Sequence, residues 1–249
     1  MIVSFLVLVV FATAVIAYSE NSIIDKINKG DIKLTKEWKD VASNVKCKDN
    51  GNEFQCEFIH VKENSAQKPA SATCTKSLGG KWNTLPVNYI INPTNTQGLS
   101  SDFITSTISA SAETWDAATP KELFNNLYGV DNTVQYGVRD FKNSIALGLY
   151  QGSSSTIAVT SIWFTRKTGI SESDILFNTI YSWGDASLNP LLMDLQNIAT
   201  HELGHFVGLD DIYTSGCSAV TMYGYSNNGD ISKRTLEQPD ITGLLKMYP

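Results

Sequence analysis

Residues 201 to 211 read HELGHFVGLDD and hold two of the three histidines in a chain of 249 residues. His201 and His205 are four positions apart. On a helix their rings leave one face about a turn from each other and can converge on a single metal ion. Glu202 is offset by one residue, so its carboxylate would lie beside the ion rather than on it, where it can take a proton from a water held at the metal. H-E-x-x-H is therefore the chemistry of metal-assisted hydrolysis. Zinc suits two imidazoles, but a catalytic zinc needs a third protein ligand. The remaining histidine, His60, stands far away in the N-terminal part of the chain.

A helix must hold this pair. Its other face, Leu192, Leu195, Ala199, Leu203 and Phe206, is apolar and suited to packing on a sheet. The spacing predicts a start at Asn189, a cap followed by Pro190 at the first helical position, and a stop at Gly208, the glycine expected just past a helix C-terminus. Upstream, 85–91 (LPVNYII) reads as a strand. A helix capped by Ser101 or Asp102 follows, with Ile104, Ile108, Ala112 and Trp115 on its apolar stripe. Residues 133–138, 143–150, 156–165 and 174–179 read as strands, and 240–248 as a last short helix. The expected order is β-α-β-β-β-β-α-α.

HELGHFVGLDD, followed eleven residues beyond Asp211 by Met222 in AVTMYGY, resembles the metzincin metallopeptidases in their matrixin-like branch. That pattern is H-E-x-x-H-x-x-G-x-x-H or D with a downstream methionine turn. KWNTLPVNYII, the helix carrying Trp115 and QPDITGLLKMYP look like matrixin counterparts in the same order, so the resemblance covers roughly 81–249. It implies an α+β fold: a twisted, mostly parallel five-stranded sheet with an antiparallel edge strand, an active-site helix and a C-terminal helix, with a small N-terminal β-hairpin segment attached. It also implies a zinc endopeptidase with Glu202 as the catalytic base and one catalytic zinc on His201, His205 and Asp211. An aspartate as third ligand, followed by Tyr213 and Cys217, looks more like snapalysin. No matrixin cysteine-switch motif, P-R-C-G-x-P-D, is present.

The aspartate also has a physical rationale. Gly208 can turn left-handed at no steric cost, letting the chain fold back under the metal, and three residues later Asp211 can offer its carboxylate. Asp210 is the nearest rival, but in an extended segment it points the other way. A thermolysin-like arrangement would use Glu237 and leave Gly208 and Met222 without a role. By the resemblance Met222 forms a hydrophobic floor below the ligands, and 156–165 is the cleft edge, where Ala158, Val159 and Thr160 present backbone groups to an extended polypeptide substrate. Tyr223 and Tyr225 line the specificity pocket or simply pack. Three histidines leave none for a structural zinc, so a single zinc is expected. Ca2+ has possible ligands among scattered aspartates but no readable site.

The rest of the composition bounds the setting. Apolar residues make up 42% and charged residues 18%, an ordinary globular balance, and a net charge of -6 gives no reason to expect nucleic acid. The opening MIVSFLVLVVFATAVIA reads as a signal peptide over 1–17. The mature chain is then secreted, without stable membrane association; the alternative is an N-terminal anchor facing outside. Four cysteines without C-x-x-C spacing agree with export. If Gly51-Asn52 is a two-residue hairpin turn, Cys47 and Cys56 become a directly opposed, non-hydrogen-bonded pair, and Cys74 is left for Cys217. An Asn50-Gly51 turn would shift the register and remove that argument. Residues 18–73 form an N-terminal segment or propeptide, ending in the polar linker 61–73, and 74–249 the catalytic domain. The protein is expected to act as a monomer. The competing reading is a non-catalytic extracellular binding domain that keeps the fold.

Overall fold

A computed structural model describes residues 22–62, 74–165 and 169–249. The expected signal peptide, 1–17, and most of the expected linker, 63–73, lie outside the described residues. In chain order the elements are α1 (Ile23–Lys29), β1 (Lys39–Ala42), β2 (Val45–Asp49), β3 (Glu53–Lys62), β4 (Ile90–Asn92), α2 (Ser101–Asp116), β5 (Gly129–Val130), β6 (Ser144–Gly148), β7 (Thr156–Thr165), β8 (Ile170–Asn178), β9 (Trp183–Gly184), β10 (Met193–Asp194), α3 (Leu195–Phe206), β11 (Tyr225–Ser226) and α4 (Gln238–Met247). None of these helices is long and apolar enough to cross a membrane.

The expected α+β core is present. β5, β4, β6 and β8 are mutually parallel neighbours, and β7 joins β8 antiparallel, giving the five-stranded, mostly parallel arrangement. α2 and α3 pack together: the Trp115 indole donates to the Thr200 carbonyl at 2.8 Å, and Ile104, Ile108, Ala112, Leu195, Ala199, Leu203 and Phe206 are all buried. Burial of these side chains, each contributing roughly 1.5 to 3 kcal/mol for a large aliphatic or aromatic group, fixes the height of α3 above the sheet.

Several local expectations change. Residues 133–138 form turns, not a strand: Gly137 is left-handed (φ +79) and its N–H goes to the Asp174 carboxylate at 2.9 Å, so this backbone is satisfied outside any ladder. The strand at 85–91 contracts to Ile90–Asn92, following Pro86, which has no N–H to give. α3 begins at Leu195, not after Asn189. The Asp194 carboxylate accepts from the Asn197 N–H at 2.8 Å as the true cap, while Asn189 closes an Asx turn onto the Leu191 N–H and Met193–Asp194 pairs with Trp183–Gly184. α2 is capped one residue earlier than expected, by Ser100.

The N-terminal hairpin has the register that a Gly51-Asn52 turn requires. Gly51 has φ +94, the Asn50 N–H bonds the Glu53 carbonyl at 2.9 Å, and Cys47 and Cys56 are directly opposed with Cα atoms 4.2 Å apart, bridged by a disulfide. Cys74 is bridged to Cys217 across 5.4 Å. The hairpin is not a separate module. β3 adds to β7 from Glu53 opposite Thr165 to Val61 opposite Thr156, and the sheet among the described residues reaches nine strands. The edge of β7 expected to be free is covered.

Candidate metal centre

α3 holds His201 and His205 with their rings 4.8 Å apart. The Nδ1–H of His201 donates to the Thr221 carbonyl at 2.7 Å and that of His205 to the Leu209 carbonyl at 3.0 Å. Each bond sets the tautomer that leaves a lone pair on Nε2, the form a metal needs. Past the helix Gly208 turns left-handed (φ +105), and a Cβ there would strike the Gly80 carbonyl oxygen. The reversal brings Asp211 Oδ1 to 3.2 Å from His201 Nε2 and 3.5 Å from His205 Nε2, while its Oδ2 accepts from the Tyr213 hydroxyl at 2.8 Å.

The rivals go elsewhere. Asp210, itself buried, turns away from the cluster, pairing with Lys76 Nζ at 2.6 Å and accepting the Asp211 N–H at 2.8 Å. Glu237 caps α4 in a reciprocal arrangement with Asp240. Asp240 in turn takes the N–H groups of Thr221 and Met222, at 2.9 and 3.2 Å, and so pins the methionine turn. Met222 packs under the helix at Gly204, where a Cβ would collide with its sulfur and with Trp115.

His201, Glu202 and His205 are 0% exposed and Asp211 2%. His201 Nε2, His205 Nε2, Asp211 Oδ1 and Glu202 Oε1 are all buried without a hydrogen-bond partner. Buried polar atoms normally find partners. Three of these four orphans, the two imidazole nitrogens and the Asp211 oxygen, make a donor set that suits a zinc ion, with the Glu202 oxygen beside them, and the residues present fit it. Burial carries the His201 ring down to about 3, whereas at His205 burial is outweighed by Asp211 beside it, which pushes that ring up to about 9. Burial pushes Glu202 up to about 7. Its Oε2 is held by the Thr160 hydroxyl, leaving Oε1 as the free oxygen.

The cleft residues are less accessible than expected. Ala158, Val159 and Thr160 on β7 are buried and lie opposite His60, Ile59 and Phe58 of β3. Tyr223 and Tyr225 pack on each other at 5.6 Å, and Tyr225 on Tyr213 at 5.1 Å. Lys233 Nζ, buried, donates to the carbonyls of Tyr223 and Tyr225. His60, which looked remote, is at the site: its ring meets that of His201 edge-on at 4.0 Å, and its Nδ1 is 3.7 Å from Glu202 Oε1. Its placement depends on pairing between strands nearly a hundred residues apart in sequence. The one local signal was its alternation with Cys56 and Phe58, which puts all three on one face of a strand.

The sequence model of the family described as Matrixin matches residues 81–249. Over 121 residues the chain is 33% identical to matrilysin of Homo sapiens, an alignment covering 46% of this chain and 42% of that protein. The match thus spans less than half of the relative's length, and the family match includes every residue of the metal cluster except His60. Two histidines and an aspartate around orphaned donor atoms, on a five-stranded core and over the methionine turn, agree with that match: the chain belongs to the matrixin family.

Proposed function

We propose that this matrixin is a secreted zinc endopeptidase in which His201, His205 and Asp211 hold one zinc ion and Glu202 is the general base. The observation that carries the reading is the convergence of three unpartnered donor atoms, His201 Nε2, His205 Nε2 and Asp211 Oδ1, beside the free oxygen of Glu202. Zinc, when bound, supplies a Lewis acid that polarises the substrate carbonyl and makes water a better nucleophile. Glu202 Oε1 takes the proton from the attacking water and passes it to the leaving amine. The Thr160 hydroxyl on Oε2 fixes the carboxylate for both transfers, and a pKa raised to about 7 by burial suits a group that must accept and then release a proton. β7 aligns an extended substrate through Ala158, Val159 and Thr160, with Tyr223 and Tyr225 as the facing wall and Met222 as the floor.

In this reading residues 1–17 direct export and 18–73 are a propeptide, since β3 covers the strand on which the substrate would pair. The buried state of the site would equally suit a non-catalytic binding domain, and one experiment separates the two. Protein processed between Lys62 and Cys74 is assayed for zinc content and for cleavage of casein. One equivalent of zinc with cleavage that Glu202→Ala abolishes supports the peptidase; zinc without cleavage supports the binding domain.

A further inference from the structure

The C-terminal half of β3 occupies the groove that the proposed substrate would fill. On one side Phe58, Ile59 and His60 lie antiparallel to Thr160, Val159 and Ala158 of β7; on the other Val61 and Lys62 lie parallel to Tyr225 and Ser226 of β11. The strand comes from residues outside the matched 81–249. Because side chains alternate, Phe58 and His60 both face α3. Phe58 stacks on His205 with ring centres 5.2 Å apart, and His60 stands edge-on over His201. His60 is 0% exposed. Its Nε2 lies 3.4 Å from Lys233 Nζ, and its Nδ1, directed at Glu202 Oε1, has no hydrogen-bond partner.

An orphaned imidazole nitrogen that lies with a donor atom of His201 and the free oxygen of Glu202, all within 4.8 Å of one another, has a chemical meaning. Zinc sites with four protein donors are closed and structural, whereas catalytic sites keep three donors and leave the fourth position for water or substrate. We propose that His60 Nδ1 is a fourth protein donor to the zinc, occupying the position of the water that Glu202 would activate, and that β3 is thereby an inhibitory strand lying in the substrate groove. The proposal rests on the zinc reading above. It supplies a nitrogen in place of the sulfur of a cysteine switch, which this sequence lacks. It also fits the cross-links: Cys47–Cys56 lies within the hairpin and Cys74–Cys217 within the rest, so neither ties β3 to the catalytic part. A single cut between Lys62 and Cys74 leaves the strand held only by non-covalent contacts.

The test uses the full chain with cobalt(II) in place of zinc, which reports the ligands by absorption. In the unaltered chain the spectrum should be that of a four-coordinate site closed to water. His60→Leu should admit water, weaken the visible bands and lower metal affinity by about 10-fold or more. His60→Cys should create a thiolate-to-cobalt charge-transfer band, which a side chain with a merely structural role cannot produce. Unchanged bands and affinity in His60→Leu, with no charge-transfer band in His60→Cys, overturn the proposal while the zinc reading stands. Failure of the unaltered chain to bind one equivalent of cobalt, or binding that survives His205→Ala, overturns the zinc reading itself and His60 with it.

Discussion

Asp210 and Asp211 are adjacent in sequence and face opposite ways: Asp210 Oδ2 is 2.6 Å from Lys76 Nζ, and Asp211 Oδ1 is 3.2 Å from His201 Nε2. One carboxylate is spent on a partly exposed lysine and the other is aimed at the metal cluster. Asp211→Ala should therefore lower zinc affinity by well over ~10-fold and remove activity with it. Asp211→His should recover binding and part of turnover. Asp210→Ala should keep its zinc while losing both the ion pair with Lys76 and the acceptor of the buried Asp211 N–H, a stability cost of about 1 to 3 kcal/mol. Equilibrium dialysis against a zinc chelator ranks the three. Zinc lost from Asp210→Ala but kept by Asp211→Ala would move the ligand by one residue.

Glu202 and Thr160 should fail differently from the ligands. Glu202→Ala deletes proton transfer without touching the coordinating atoms, so processed protein should keep near one equivalent of zinc while cleaving peptide at least ~10²- to 10⁴-fold more slowly. Thr160→Val removes the hydroxyl that holds Oε2 and should lower kcat more than it changes KM. A Thr160→Val enzyme with unaltered kcat would assign that hydroxyl to the buried core alone.

The candidate metal cluster was legible because its geometry is local. Three residues of helix separate the two histidines, and a glycine that must turn left-handed aims the aspartate, so spacing alone describes most of the site. The Cys47–Cys56 bridge was legible for the same reason, given the right turn. What escaped was non-local or a contest between similar signals. Asn189-Pro190 and Asp194 both look like helix starts, and only the tertiary pairing of Met193–Asp194 with Trp183–Gly184 decides for the second. His60 belongs to a strand whose neighbours are β7 and β11, and nothing in its immediate sequence names either partner.

The two disulfides should differ in stabilising effect. Cys74–Cys217 closes a sequence separation of 143 and Cys47–Cys56 one of 9. Chain-entropy arguments assign about 5 kcal/mol to the first and about 2.5 to the second, with measured gains often smaller. Paired Cys→Ser variants compared by urea unfolding should show the larger loss for Cys74/Cys217. The reverse order would mean that native-state strain or residual structure outweighs loop closure.

Lys233 makes stability depend on alkaline pH. Its ammonium is buried and donates to the carbonyls of Tyr223 and Tyr225, and burial lowers its pKa from 10.5 to about 8. The folded protein holds this proton less tightly than the unfolded chain does, so between about pH 8 and 10.5 unfolding takes up a proton. Resistance to urea should accordingly rise as pH increases through that window, before any loss from other groups. Lys233→Met keeps a stem of similar length and removes the titrating group, so its rise should be flatter over the same range. It also leaves two carbonyls beside the proposed pocket wall without their donor, so it should be less stable than the unaltered chain at every pH, by about 1 to 3 kcal/mol. Equal pH slopes for the two proteins would mean that Lys233 keeps an ordinary proton affinity in the folded state.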